Sequence, residues 1–102
     1  MSTRREVRVR TEFFGELESK LKAFKDSGRL PVPSPNNFLL YELPRIIDQL
    51  AKDYEGNTRP LEEHPFVRMW LDQGRFCTLI GVFATLADHD GAVEILSVDI
   101  EL

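Results

Sequence analysis

Two arginines and a tryptophan stand close together in the stretch FVRMWLDQGRFCTL at positions 66–79: Arg68, Trp70 and Arg75. Arginine holds phosphate oxygens bidentately, and a tryptophan ring can stack a base or anchor a partner chain. The trio allows three readings: a grip on a phosphate backbone, a docking patch for another chain, or sheet decoration. The last needs no ligand, because an arginine over an exposed aromatic ring contributes about 0.5 to 1 kcal/mol by itself. Arg8 and Arg10, in EVRVR at 6–10, alternate with Val7 and Val9 and can extend the same surface.

Other chemistry-bearing residues form no recognisable set. His64 and His89 are the two histidines. His89 lies between Asp88 and Asp90 in a turn sequence, where neighbouring side chains diverge and the residue types suit turn geometry. His64 precedes Pro65 and has no partners at metal-ligand spacing. No glycine-rich phosphate loop, GxSxG, CxxC or HExxH occurs. No metal site and no cofactor is expected. Cys77, the one cysteine, sits in an apolar run with no histidine nearby, which fits an inert buried thiol.

The elements that must position the arginines can be read from periodicity. Alternation over 6–11 marks a half-buried strand. Thr11 stands where a helix N-cap belongs, and Phe13, Phe14, Leu17, Leu21 and Phe24 then recur at helical spacing, up to Asp26, Ser27 and Gly28. RLPVPSPNN has three prolines in five residues and predicts irregular chain. Ser34 and Pro35 form a good N-cap and first-turn pair for a second helix through Leu43, Ile47, Leu50 and Tyr54. Pro44 predicts a kink, or two abutting helices split at Leu43. From Arg59 the period becomes strand-like: 67–71, the turn DQGR, FCTLIGVFATL, the turn ADHDG, and AVEILSVDI. The expectation is one α+β domain over 1–102, with an N-terminal strand, two helices and a three-stranded antiparallel meander. Strand parity places Arg68 and Trp70 opposite Val67, Met69 and Leu71. If helices cover the Val67 face, Arg68, Trp70, Arg8 and Arg10 lie on the open one.

Size and charge narrow the class. A chain of 102 residues, 42% hydrophobic and with ten aromatics, can bury roughly 60 to 70% of its unfolded surface in one core. Net charge is −4 but uneven: the first ten residues carry +3, leaving −7 for the other 92. An acidic body disfavours general nucleic-acid binding. No segment approaches the ~20 apolar residues of a membrane span, and the N-terminal arginines do not lead into an apolar stretch as in a signal peptide. With its lone cysteine, the chain reads as cytoplasmic, without a membrane partner.

The order strand, two helices, meander, together with RPLEEHPFVRMWLDQGRFCTLIGVF at 59–83, resembles the RelE/ParE superfamily of toxins from bacterial toxin-antitoxin systems. Arg59, Pro60 and Leu61 match that family's "rpL" element, Arg68 its basic strand position, Arg75 its arginine after the turn, and VEILSV at 93–98 its last strand. The resemblance implies a small antitoxin as partner, and the open sheet face, where strand parity puts Arg8, Arg10, Arg68 and Trp70, is the expected binding surface. In the RNA-cleaving members it implies messenger RNA on the ribosome as target, Arg68 as a phosphate contact and Arg75 as the cation that stabilises the transition state. Where those members carry a basic residue and often a tyrosine, this chain has Asp99, Ile100, Glu101 and Leu102. ParE-like gyrase poisons do without the nuclease residues, so DNA gyrase stays open as a target, and enzyme activity is left undecided. The alternative, from another class, is a non-catalytic homodimer formed through the edge and apolar strands of the C-terminal sheet.

Overall fold

The computed structural model describes residues 4–28, 34–75 and 77–101. Five strands, β1 (Val7–Val9), β2 (Arg59–Pro60), β3 (Arg68–Asp72), β4 (Leu79–Leu86) and β5 (Val93–Glu101), form one mixed sheet in the order β1-β5-β4-β3-β2. The expected meander is β3-β4-β5, antiparallel throughout. The N-terminal strand joins it in parallel beside β5, with Val7 opposite Val93 and Val9 opposite Ile95. The two-residue β2 adds an edge that periodicity did not reveal, because two residues carry no period.

Helix α1 (Thr11–Asp26) buries Phe13, Leu17 and Leu21, the stripe set by their helical spacing. Thr11 is its first helical residue, one step later than the N-cap role expected of it; Arg10 occupies the cap position. The strand runs on to the helix without a gap, since the Arg10 amide still bonds to Ile95 O at 3.1 Å while its carbonyl accepts from Phe13 N. Most of the proline-rich stretch before the second helix lies outside the described residues. Ser34 does cap the helical segment that begins at Pro35: its Oγ accepts from Asn37 N at 3.1 Å, with the proline in the first turn.

That second helical segment is α2 (Pro35–Asn37), a π-helical turn over Phe38–Glu42, and α3 (Leu43–Lys52). The split falls at Leu43, as Pro44 demanded. Leu43 N reaches back five residues to Phe38 O, and this wider turn accommodates both the missing donor and the ring of Pro44.

One core contains Phe13, Leu17, Phe38, Ile46 and Leu50 from the helical segments and Trp70, Ile80, Val82, Val93, Ile95 and Val98 from the sheet. All helical apolar sides therefore pack on one sheet face. Leu96 is an extra residue on β5, since Phe83 pairs with Ser97 but Ala84 with Ile95. Beyond this bulge β1 has ended, and α1 takes over the edge of β5. Glu16 Oε1 accepts from Val98 N at 2.8 Å, and Lys20 Nζ donates to Val98 O at 2.5 Å. One turn of helix thus stands in for a neighbouring strand, while Pro60 blunts the opposite edge.

Candidate functional site

Arg68 and Trp70 do share a face, as parity requires, but it is the helix-covered face. Trp70 is 1% exposed, packed in the core, and its indole Nε1 donates to Gln49 Oε1 at 2.8 Å. Arg68 is half-buried: Nε donates to Thr58 Oγ1 at 2.7 Å, and Nη2 to the carbonyls of Thr58 and Glu55 at 3.0 and 3.2 Å. Its guanidinium also lies 5.9 Å from the Tyr54 ring centroid. The open-face placement of both residues is therefore corrected. Alternation gives two sets of side chains but not which set turns inward. The large indole fills space beneath α3 with its N–H satisfied, and the arginine snorkels its charge to loop carbonyls.

The cation beside Trp70 is neither Arg68 nor Arg75 but Arg45 of α3, 5.4 Å from the ring centroid. Arg45 also donates to Asp72 Oδ2 at 3.1 Å and Gln73 O at 2.9 Å, tying α3 to the end of β3. Sequence separation hid this contact, since nothing local connects positions 45 and 70. Tyr54 likewise reaches across the core, its hydroxyl donating to Ala84 O at 3.2 Å, and burial pushes its pKa up.

Arg75 lies in the β3–β4 loop, at the other end of β3 from Arg68. Four strand residues at ~3.3 Å each separate them by ~13 Å or more. The Arg75 amide donates to Glu42 Oε2 at 2.7 Å, and its guanidinium sits 5.4 Å from the Tyr41 ring centroid. Glu42, from the π-helical turn, is 1% exposed. Its second oxygen is 3.9 Å from Arg45. Gly74 closes over this carboxylate without a positive φ; a Cβ there would overlap Glu42 Oε2 and come within 2.6 Å of Ile80 Cδ1. The loop that presents Arg75 is thus fastened to a buried acid. Beneath it, desolvation and then the nearby Glu42 charge push the Cys77 thiol up to about 11, consistent with the inert role expected.

Arg8 and Arg10 lie at the opposite margin of the sheet, beside β5. Arg8 pairs with Glu6 and Asp90, and the Asp90 hydrogen bond chiefly raises its pKa. The Ala92 amide, ahead of Arg8, holds the Asp90 carboxyl below its ordinary range. Arg10 Nε donates to Glu94 Oε2 at 3.0 Å. Arg10 and Arg68 do meet one depression of about 750 Å³, whose wall also includes Tyr54, Thr85, Glu94 and Phe66, the last 84% exposed. The five expected site residues therefore fall into three places: the Arg10–Arg68 depression with Arg8 to one side, the core for Trp70, and the far loop for Arg75.

Inverting the faces leaves the open side apolar at its centre. Met69, Leu71, Leu79 and Phe83 alternate with the core residues of β3 and β4, and none of them packs against the core cluster. Leu71 is 50% exposed. The register sets these residues in rows across the sheet: Arg59, Met69, Phe83, Ser97, and next to it Leu71, Gly81, Asp99, with Leu79 opposite Glu101 beyond.

This element order, with helices on one face of a five-stranded mixed sheet, defines an α+β protein of RelE/ParE-like fold. The crystal structure of the toxin-antitoxin complex RelBE2 from Mycobacterium tuberculosis contains a chain that superposes with a TM-score of 0.58 at 17% identity, over 99% of this chain and 95% of that one. At that identity the likeness is one of fold. No protein-family model matches the chain, and no curated protein does. Among the described residues no helix is long and apolar enough to cross a membrane.

Proposed function

We propose that this chain is the toxin-like component of a toxin-antitoxin pair and that a small antitoxin binds its open sheet face. The observation that carries this is the fold shared, over nearly the whole chain, with a protein solved in a toxin-antitoxin complex. The apolar centre formed by half-exposed Leu71 with partly buried Met69, Leu79 and Phe83, outside the core cluster, supports it, because apolar side chains left on an open face suit an interaction surface. RNA cleavage is not part of this reading. Asp99 and Glu101, exposed on the C-terminal strand, repel a phosphate backbone brought to that part of the sheet. Arg75, whose guanidinium like that of Arg59 makes no ion pair among the described residues, is available to an anionic target such as messenger RNA or a gyrase complex.

Induction of the chain alone in bacteria, with growth and messenger-RNA integrity monitored, tests the proposal. Growth arrest with intact RNA is expected, relieved by Arg75→Ala and by co-expression of a small protein encoded alongside. Normal growth would refute the toxin role. A homodimer is the second reading, favoured by the half-exposed Leu71 at the middle of the open face. The face would have to carry it, since Glu16 and Lys20 already occupy the edge of β5 at Val98.

A further inference from the structure

Away from the open sheet face, the helical layer leaves a second group of side chains outside the core. In the π-helical turn Phe38–Glu42, Phe38 and Glu42 are turned inward, at 0% and 1% exposed. With that side of the turn fixed, Leu40 and Tyr41 are carried outward, and they are 67% and 49% exposed. The Arg75 guanidinium lies over the Tyr41 ring, 5.4 Å from its centroid, and makes neither an ion pair nor a hydrogen bond among the described residues. Its loop is tied from beneath by the 2.7 Å bond from the Arg75 amide to Glu42 Oε2. One buried acid therefore orients both halves of the group: it sets the turn that presents Leu40 and Tyr41, and it holds the backbone of Arg75 beside them.

We propose that Leu40, Tyr41 and Arg75 form a docking surface for a carboxylate-bearing protein segment, with an aspartate or glutamate on the Arg75 guanidinium and an apolar neighbour against Leu40 and the Tyr41 ring. This rests on the reading of Arg75 as target-facing, and it adds the chemistry of what Arg75 meets. An unspent guanidinium holds a carboxylate bidentately. Tyrosine and arginine are enriched among the residues that dominate binding at protein interfaces, and a backbone fixed in advance lowers the ordering cost of using them. Charge selects a protein over a nucleic acid. Around Arg75 the charges cancel: Arg45 and Arg75 stand against Glu42 and Asp72, and Arg45 reaches both acids, at 3.9 and 3.1 Å. A phosphate backbone draws its affinity from several cations together and meets no net positive field here. A single carboxylate needs only the one arginine. A second copy of this chain is disfavoured by its own charge, −4 against −4.

The test selects phage-displayed random 12-residue peptides on the full chain after depletion on its Arg75→Ala variant. The survivors are expected to share an aspartate or glutamate close to a Leu, Phe or Trp. As synthetic peptides they should bind the chain, and replacing that acid with its amide should weaken binding about tenfold or more, as for a charge-assisted contact. Arg75→Lys keeps the charge and loses the fork, and should weaken binding about three- to tenfold. Leu40→Ser, at an exposed position, should weaken it about fivefold without changing the melting temperature by more than about a degree or two. No survivors, survivors without an acid, or binding indifferent to Leu40→Ser would overturn the proposal. So would tighter binding of a 20-nucleotide single-stranded RNA that is lost in Arg75→Ala, which gives the surface to a nucleic acid, or a sedimenting dimer dissolved by that variant, which gives it to a second copy. Growth on induction reads the toxin role separately. Harmless induction with acid-dependent peptide binding removes the toxin and keeps the surface, and growth arrest without such binding does the reverse.

Discussion

The fastening of the Arg75 loop to Glu42 yields a quantitative prediction. Gly74→Ala adds a methyl group that overlaps Glu42 Oε2 and lies 2.6 Å from Ile80 Cδ1, and neither atom has room to withdraw, since Glu42 and Ile80 are 1% and 0% exposed. Overpacking of this kind costs about 1–3 kcal/mol. If the carboxylate swings aside, it also breaks its 2.7 Å bond to the Arg75 amide, a charge-assisted contact worth about 1.5–3 kcal/mol. A combined loss of about 3 kcal/mol is expected, or roughly 12–15 °C in melting temperature for a domain of this size. Glu42→Ala alone should cost about 2–3 kcal/mol through the lost bond and cavity. The decisive quantity is the double variant. Removing the carboxylate frees the space the new methyl needs, so Gly74→Ala should cost about 1–2 kcal/mol less in the Glu42→Ala background than in the parent. Urea unfolding of the four proteins measures this. Additive losses would refute the idea that Gly74 is required by the carboxylate beneath it, and would leave Ile80 as the sole obstacle.

Other outcomes rest on the same contacts. Arg68→Ala loses three acceptors around Thr58 and Glu55 and should destabilise by about 2 kcal/mol, whereas Arg75→Ala, whose guanidinium has the Tyr41 ring to lose among the described residues, should stay within about 1 kcal/mol by thermal melting. Glu16→Ala should cost about 1–2 kcal/mol and raise the hydrogen-exchange rate of the Val98 amide, while unchanged Val98 protection would remove the edge-covering role of α1. The Cys77 thiol, raised from about 9 to about 11 by burial and Glu42, contributes stability that is full below pH 9 and is lost as pH rises through about 11. Native protein at pH 8 should accordingly react with iodoacetamide about a hundredfold more slowly than urea-unfolded chain, as a thiol count against time will show.

Much of this architecture was legible because it is local. The stripe of Phe13, Leu17 and Leu21, the Ser34–Pro35 start and the break at Leu43 each depend on residues within a turn or two of one another. The parity of Arg68 with Trp70 was legible for the same reason. Its direction was not, because an alternating strand with apolar residues in both sets can be turned either way, and the choice depended on Gln49, Thr58 and Tyr54 from a distant helix and loop. Arg45 over Trp70 and Glu42 beneath Arg75 were out of reach altogether, since both belong to segments about 25 to 33 residues away that only the packed fold brings near.

That inversion redistributes the arginines between structure and function. Arg8 and Arg10 are neutralised by Asp90, Glu6 and Glu94, Arg45 holds Asp72, and Arg68 is spread over three oxygens of one loop. Each would have to surrender bonds it already makes before meeting a ligand, so any gain is offset by the bonds lost. The side chains of Arg59 and Arg75 have no such tie to an acid among the described residues. They also lie apart: Arg59 joins the apolar row on the open face through its pairing with Met69, and Arg75 projects from a loop held by Glu42 at the far end of β3. A partner chain on the open face therefore meets Arg59, Leu71, Asp99 and Glu101 and need not cover Arg75. On the proposed toxin role, the open face serves the partner and the Arg75 loop the target, and an antitoxin would have to extend past the end of β3 to reach Arg75 or exclude the target through its bulk.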